Sequence, residues 1–285
     1  MLPGMETREP STAGPLLRDW RRRRKLSQLD LSLLADTSAR HLSYMETGRA
    51  RPSREMLLRL SAALDIPLRE RNTLLLAGGY APAYRESSPD DAYMASVSSA
   101  LETVLATHEP YPAVVVDRLW NVVRGNSAMS VLMEGVPAHL SEPRPNVFRL
   151  ALHPEGLAAR LVNLGEVREL FLDRLLHQVN TTADADLRAL YEEVSCYPAA
   201  EEPADAGTGP ADGPNPIRVP LRLRTPFGEL ALFSTMATFG APADVTLSEL
   251  AIELFYPLDG FTADTLRALA PASSKNSAAP ANVFP

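Results

Sequence analysis

Along the first eighty residues the apolar positions recur every three or four places, in short blocks separated by polar residues. Leu16, Leu17 and Trp20 mark one block, Leu31, Leu34 and Ala35 a second, and Leu42 and Met45 a third. Met56, Leu57, Leu60 and Leu64 form a fourth, and Pro67 opens a fifth, "LRERNTLLLAGGY", stopped by Gly78 and Gly79. That spacing predicts five amphipathic helices. Ser27, Ser38 and Ser53 each stand just before a block, where a hydroxyl can accept from a free backbone N–H. Asp30, three residues after Ser27, predicts a short capping box. Only "DTS" (36–38) separates the second and third helices, so they must cross steeply, as in a helix-turn-helix. Gly48 ends the third helix as a residue free to take positive φ.

Beyond residue 80 the pattern changes. "YAPAYRESSPDDAYM" (80–94) predicts a linker and Met94 to Leu105 a helix. "AVVVD" and "LWNVV", joined at Asp117-Arg118, predict a hairpin. "NSAMSVLM" reads as a short helix. "GLAARLVNLGEVRELFLDRLLHQV" reads as a long one, with Leu157, Leu161, Leu164, Phe171 and Leu175 along one face, and "LRALYEEV" continues as helix. The stretch 198–216 is acidic, rich in Pro and Gly and without bulky apolar residues, which predicts a mobile loop. Ile217, Val219, Leu221 and Leu223 then alternate with Arg218, Pro220, Arg222 and Arg224, a strand with its arginines in solvent. "TPFGE" turns it into a partner strand, "LALFSTMATF". Thr246 and Glu249 read as a capping box for a helix "LSELAIELFY", stopped by Pro257.

The expected fold is an all-α five-helix domain followed by an α+β domain, an antiparallel sheet with helices packed on one face. The expected divisions are a disordered start (1–14), the helical head (15–80), a linker and connecting helix (81–104), the α+β body (105–270) and a disordered tail (271–285).

Charge divides the chain at the same place. The net charge of the 285 residues is −7, yet residues 1–85 carry 15 basic and 9 acidic groups and the rest 13 and 26. A head of +6 on a body of −13 suits a head that meets a polyanion, although Arg21 to Lys25 can equally be a solvated helix face. Cys196 is the only cysteine, which excludes an internal disulfide and fits a reducing, cytoplasmic setting. No apolar run approaches a membrane span, and the first fifteen residues lack the pattern of a secretory leader. The five histidines show no ligand-like spacing, so no metal and no cofactor is expected. There is no G-x-S-x-G and no Gly-rich phosphate loop between a strand and a helix. "HPEGL" (153–157) reads as a turn before a helix rather than a catalytic His/Glu pair, so an enzyme is not expected.

Leu42 and Met45 pin the third helix inward and leave a ridge of Ala39, Arg40, Ser43, Tyr44 and Thr47. Such a ridge fits the major groove of double-stranded DNA. Arg40 can pair bidentately with a guanine, and Tyr44 and Ala39 can meet a thymine methyl. Ser38, the cap, and His41, a phosphate or partner-helix contact, lie on the same side. Gln28 can reach a phosphate at a helix start, and Arg49 and Arg51 can clamp the backbone. Each of these can also be an ordinary exposed side chain.

The motifs "LSQLDLSLLADTSARHLSYMETGRARPS" and "LLRLSAALDIP" resemble the phage-repressor (XRE, Cro-type) helix-turn-helix family. The resemblance implies a compact five-helix bundle, a backbone contact at Gln28, a recognition helix holding Arg40 and Tyr44, and a structural Glu46–Arg21 pair. "PAVVVDRLWNVVRGNSAMSVL", "PNVFRLALHPEGL" and "LVNLGEV" resemble the ligand-binding domain of MmyB-like regulators. That resemblance implies a PAS-like module holding a small lipophilic ligand, with fatty-acyl compounds the leading candidates. The sheet should bring Trp120, Leu221, Leu223, Leu232 and Phe233 or Met236 near Phe148 and Phe171 as the ligand surface, though the same side chains also make an ordinary core. The expected function is a transcription regulator, a homodimer on a near-palindromic operator, controlled by that ligand. The alternative is a regulator whose body only dimerises or binds a protein partner.

Overall fold

The structure is a computed structural model that describes residues 13–88, 91–182, 184–198, 219–240 and 242–270. The start and tail read as disordered therefore lie outside the described residues, except Ala13 and Gly14. So does the acidic segment 198–216, apart from its first residue. The chain divides into two compact units.

The first unit is built on five helices, α1 (Ala13–Arg23), α2 (Gln28–Leu34), α3 (Ala39–Glu46), α4 (Arg54–Ala63) and α5 (Leu68–Ala77). Ser27, Ser38 and Ser53 cap α2, α3 and α4, each hydroxyl accepting from the backbone N–H three residues on. Ser27 and Asp30 form the reciprocal capping box. α1, α2 and α4 end alike: Lys25, Asp36 and Asp65 take positive φ. The next backbone N–H then reaches back five residues, Leu26 to Arg21, Thr37 to Ser32 and Ile66 to Ser61. This is the Schellman closure that makes very short turns possible. Leu17, Leu31, Leu42, Met45, Leu57, Leu60 and Leu74 meet in one buried core.

α1 starts before the expected boundary because Gly14 is packed on α3, where a Cβ would lie 2.4 Å from the Met45 carbonyl oxygen. The segment read as an unpacked linker is tied down as well. Asn72 bonds the backbone of Ala83 and Tyr84. Pro242–Ser248 also belongs to this unit, and its buried Asp244 accepts from Ser87 N and Oγ at 3.1 and 2.6 Å.

The second unit is an α+β PAS-like domain. Its five strands are β1 (Ala113–Val116), β2 (Val122–Gly125), β3 (Leu221–Thr225), β4 (Gly228–Thr238) and β5 (Ala251–Pro257). They lie in the order β2-β1-β5-β4-β3, all antiparallel. The expected hairpin closes on Asp117, whose Oδ1 accepts from Leu119 N and Asn121 N. α6 (Ala92–Thr107) precedes the sheet, and α7 (Ser130–Met133), α8 (Ala138–Ser141) and α9 (Val147–Leu152) follow β2. α10 (Leu164–Thr182) and α11 (Ala185–Ser195) come next. Phe148, Val167, Leu175, Leu187, Leu223, Leu230 and Leu232 anchor the core.

Two expectations are corrected here. The long helix expected from Leu157 begins only at Leu164, after a short 3-10 turn at Leu157–Ala159. The free edge of β3 captures the residues between, with Val162 N donating to Arg222 O and Arg224 N to Arg160 O. "LSELAIELFY" is not a helix. Only Val245–Ser248 (α12) is helical, and Ala251–Pro257 is β5, at the centre of the sheet. Pairing on both sides, with Ile252 opposite Val115 and Ala237, outweighs a local capping signal. The final helix α13 (Gly260–Leu269), capped by Asp259, was not foreseen.

Candidate functional site

In the first unit the recognition ridge is held from behind by one buried ion pair. Arg21 donates from Nε and Nη2 to the two carboxylate oxygens of Glu46, at 2.6 and 2.9 Å. Gln28 Nε2 donates to Glu46 Oε2 at 2.8 Å, and Arg21 Nη1 to Leu26 O at 2.8 Å. Burial pushes the Glu46 carboxyl up, but the bonds from Arg21 and Gln28 and the nearby positive charge hold it below the ordinary range. Glu46 ends α3, Arg21 lies on α1 and Gln28 begins α2. The network therefore sets the angle between the helices of the helix-turn-helix. It takes one of the two amide hydrogens of Gln28 and leaves the other for an outside acceptor.

On the outer side of α3, Ser38, Arg40 and His41 are exposed and Ala39, Ser43 and Tyr44 half-buried. The Ser38 hydroxyl is engaged as the cap, accepting from His41 N at 3.1 Å. Arg40 Nε donates to Tyr44 Oη at 3.0 Å, and its guanidinium lies 5.5 Å from the Tyr44 ring centre. This leaves the two terminal nitrogens of Arg40 facing out as a fork. Arg49 is exposed on the following loop. Arg51 is placed differently from a free phosphate clamp: it donates twice to Gly78 O and lies over Tyr80, tying the loop to the end of α5.

In the second unit an apolar cavity of about 80 Å³ opens between the inner face of the sheet and α10. Val114, Val122, Leu221 and Leu232 line it from the sheet, and Val167 and Phe171 from α10. Of its twenty lining residues only Arg174, Ser234 and Glu253 are polar, and these three meet. Ser234 Oγ donates to Glu253 Oε1 at 2.7 Å, and Arg174 Nη1 stands 3.8 Å from the same oxygen. Glu253 Oε2 is buried and has no hydrogen-bond partner among the described residues. Burial pushes this carboxyl above its ordinary range, against the opposing effects of Ser234 and Arg174.

Of the residues expected to touch a ligand, Phe171, Leu221, Leu232 and Phe233, the alternative to Met236, line the cavity. Trp120, Phe148 and Leu223 are buried in the core and are not part of the lining. Trp120 Nε1 donates to Gln178 at 2.6 Å and its ring meets Phe148 edge-on. Met236 lies 40% exposed, away from the cavity. The polar end was missed. Glu253 was hidden in a stretch read as helix, although the β-branched and aromatic residues of "AIELFYP" pointed to a strand. Asn146 is spent on a cap, accepting from Phe148 N and Arg149 N, while Asn126 bonds Ala113 N and the Leu105 and Tyr111 carbonyls and Asn163 bonds Pro220 O and Arg222 N.

Spacing along the chain showed no ligand pair among the histidines, yet folding brings His139, His153 and Glu155 within 4.8 Å of one another. His153 Nδ1 already accepts from Glu155 N at 3.1 Å, so one of its two ring nitrogens is committed to the local turn. Among the described residues no helix is long and apolar enough to cross a membrane.

A family model described as helix-turn-helix matches residues 17–71, which span the Arg21–Glu46 network and the α3 ridge. A second, described as MmyB-like transcription regulator ligand binding domain, matches residues 97–269, which contain the sheet and its cavity. No curated protein matches the chain. The second match covers more than half of the 285 residues, and with the helix-turn-helix before it the chain belongs to the MmyB-like transcription regulators, DNA-binding proteins with a C-terminal ligand-binding domain.

Proposed function

We propose that this regulator reads DNA through α3 as a homodimer and that a small lipophilic molecule, held against the sheet of its second domain, sets its affinity for the operator. The reading makes it a sensor and not a catalyst. One observation carries it: a cavity with seventeen apolar residues among its twenty lining residues, in the domain matched as ligand-binding. Such a lining favours an apolar guest. At about 80 Å³ the space takes roughly six water-sized spheres. A compact lipophile suits it, and a long acyl chain requires the half-buried Phe171 and Phe233 to move.

On DNA, Arg40 is the base reader and Gln28 a phosphate contact, with Ser38, Ala39, His41, Ser43, Tyr44 and Arg49 completing the face. Arg51 supports the loop. One recognition helix covers too few base pairs for a specific site, so two copies on a near-palindrome are required, with half-sites about 34 Å apart or a multiple of it. A ligand can shift DNA affinity only by binding two arrangements of the protein unequally.

The test begins with a duplex selected from a random pool by the full-length protein. Arg40→Ala should lose about 1–3 kcal/mol on that duplex and relax preference at one base pair. Gln28→Ala should weaken all duplexes about equally. Equal losses on every single-base variant for Arg40→Ala sink the base-reading role. Native mass spectrometry of the full-length protein should show a dimer carrying a lipophilic small molecule. A dimer that never carries one, and whose cavity admits no apolar probe, leaves the body as a dimerisation module only.

A further inference from the structure

We propose that the polar end of the cavity selects a lipophile with a neutral hydroxyl head, which bonds to Glu253 Oε2. The inference deepens the reading of this cavity as a ligand site and rests on it. Glu253 is 2% exposed, lines the cavity and has one carboxylate oxygen bonded by Ser234, while the other has no partner among the described residues. A buried polar atom left alone in a native structure calls for an explanation, and its side chain is among those that line the space where a guest sits.

The chemistry of the head follows from what that oxygen can meet. A hydroxyl donates to an ionised carboxylate and accepts from a protonated one, so it satisfies Oε2 in either state. A carboxylate head suits only the protonated state. Otherwise it sets a second anion beside the buried Glu253, with Arg174 as the only cation in the lining. Arg174 is already turned toward Glu253 Oε1 and lies over the Trp120 ring, 5.5 Å from its centre. One guanidinium, its side chain 34% exposed, then faces two carboxylates, and the charge left over sits beside a glutamate side chain only 3% exposed, where it is poorly solvated. A wholly apolar guest leaves Oε2 unpaired. The hydroxylated lipophile is the guest that leaves neither fault.

The probes are 1-octanol and octanoate, equal in chain length, titrated calorimetrically into the full-length protein at pH 7.5. Wild type should bind 1-octanol at least tenfold more tightly than octanoate. Glu253→Gln keeps the shape of the side chain and removes its charge; it should raise octanoate affinity at least tenfold and leave 1-octanol within about threefold. Glu253→Leu should cost 1-octanol at least tenfold, with melting temperature and circular dichroism recorded beside it. If Glu253→Leu does not fold, the wild type and Glu253→Gln still decide the matter. Equal affinities in wild type, or no gain for octanoate in Glu253→Gln, overturn the hydroxyl head while leaving the cavity a ligand site. Should neither octyl probe enter, 1-pentanol and pentanoate take their place; if these compact probes too fail to bind wild type, the cavity reading itself falls, and the head-group assignment with it.

Discussion

Each of the two units buries a glutamate, and the two are treated in opposite ways. Glu46 has both carboxylate oxygens bonded, by Arg21 twice and by Gln28 once. Glu253 has one oxygen bonded by Ser234 and the other left alone. Charge is carried in the first case by a bidentate partner 2.6 Å away and in the second by an arginine at 3.8 Å. A closed network is a structural device, because neither carboxylate oxygen in it gains from a visitor. An open one keeps a standing deficit that a visitor can remove. In this chain the closed network stands behind the proposed recognition helix, and the open one lines the cavity proposed to accept a guest.

The largest effect should come from opening the closed network. Arg21→Ala leaves the Glu46 carboxylate, with a side chain 1% exposed, supported by Gln28 alone. Losing one partner of a buried pair costs about 3–5 kcal/mol, and urea unfolding of the full-length protein should show that loss. A change below about 1 kcal/mol means that water enters freely behind α3, and the contrast between the two glutamates is then false. Removing the open group should act in the reverse direction. Glu253→Leu deletes a buried, half-satisfied carboxyl at an apolar site, a defect of about 1–3 kcal/mol. The ligand-free protein should hold its stability or gain up to that amount, even as the preference for a hydroxylated guest disappears.

pH separates the two groups more sharply, because their slopes have opposite signs. The folded state holds Glu46 below the ordinary carboxylate value near 4.5, so the unfolded chain binds its proton first. The stability Glu46 contributes is full above that value and is lost as pH falls through its depressed folded value. Glu253 is raised above the same value when folded, so the folded chain takes up its proton first. It is harmless below about 4.5 and costs stability as pH rises through its folded value. Urea midpoints measured from pH 3 to 8 should therefore flatten at the acid end in Glu46→Gln and above pH 4.5 in Glu253→Gln. Parallel profiles for wild type and Glu253→Gln would show that the buried carboxyl is not shifted by its surroundings.

The two units also differ in how far their sequence could be read. In the head each helix carries its own signal within four residues: Ser27, Ser38 and Ser53 as caps, and Gly48 at φ +74° as a stop. The elements and the ridge side chains followed from neighbours in the chain. The body is held by pairs far apart in sequence, such as Val114 against Glu253 and Ser234 against Phe255. A capping signal at Thr246 and Glu249 therefore misled, because what decides β5 is its two partner strands. The same distance in sequence hid the polar end of the cavity. Arg174, Ser234 and Glu253 come from three separate elements, α10, β4 and β5, and no local pattern joins them. Arg51 was legible only in part: its place after Gly48 suggests a DNA clamp, while its contact with Gly78 depends on the packing of the bundle and has no local signal.

The smallest effects test whether the head owes its legibility to local turn chemistry. Gly48 and Lys25 both follow helices with positive φ, +74° and +56°, but only Gly48 is a residue at ease there. No heavy atom lies within 4 Å of a Cβ built on Gly48, so Gly48→Ala costs backbone strain of about 1–2 kcal/mol, offset in part by about 0.5–1 kcal/mol from the stiffer unfolded chain. Lys25→Gly runs the other way. It relieves strain of that order and gives back about 0.5–1 kcal/mol through the greater freedom of glycine in the unfolded chain. A net gain of about 0.5 kcal/mol should remain. Lys25 is exposed, so the substitution removes no buried contact and the balance reads the backbone directly. Thermal melts of the two variants beside wild type should move in opposite directions. If both fall, the turn after α1 is held by something other than its own closure, and the head is less local than its sequence suggests.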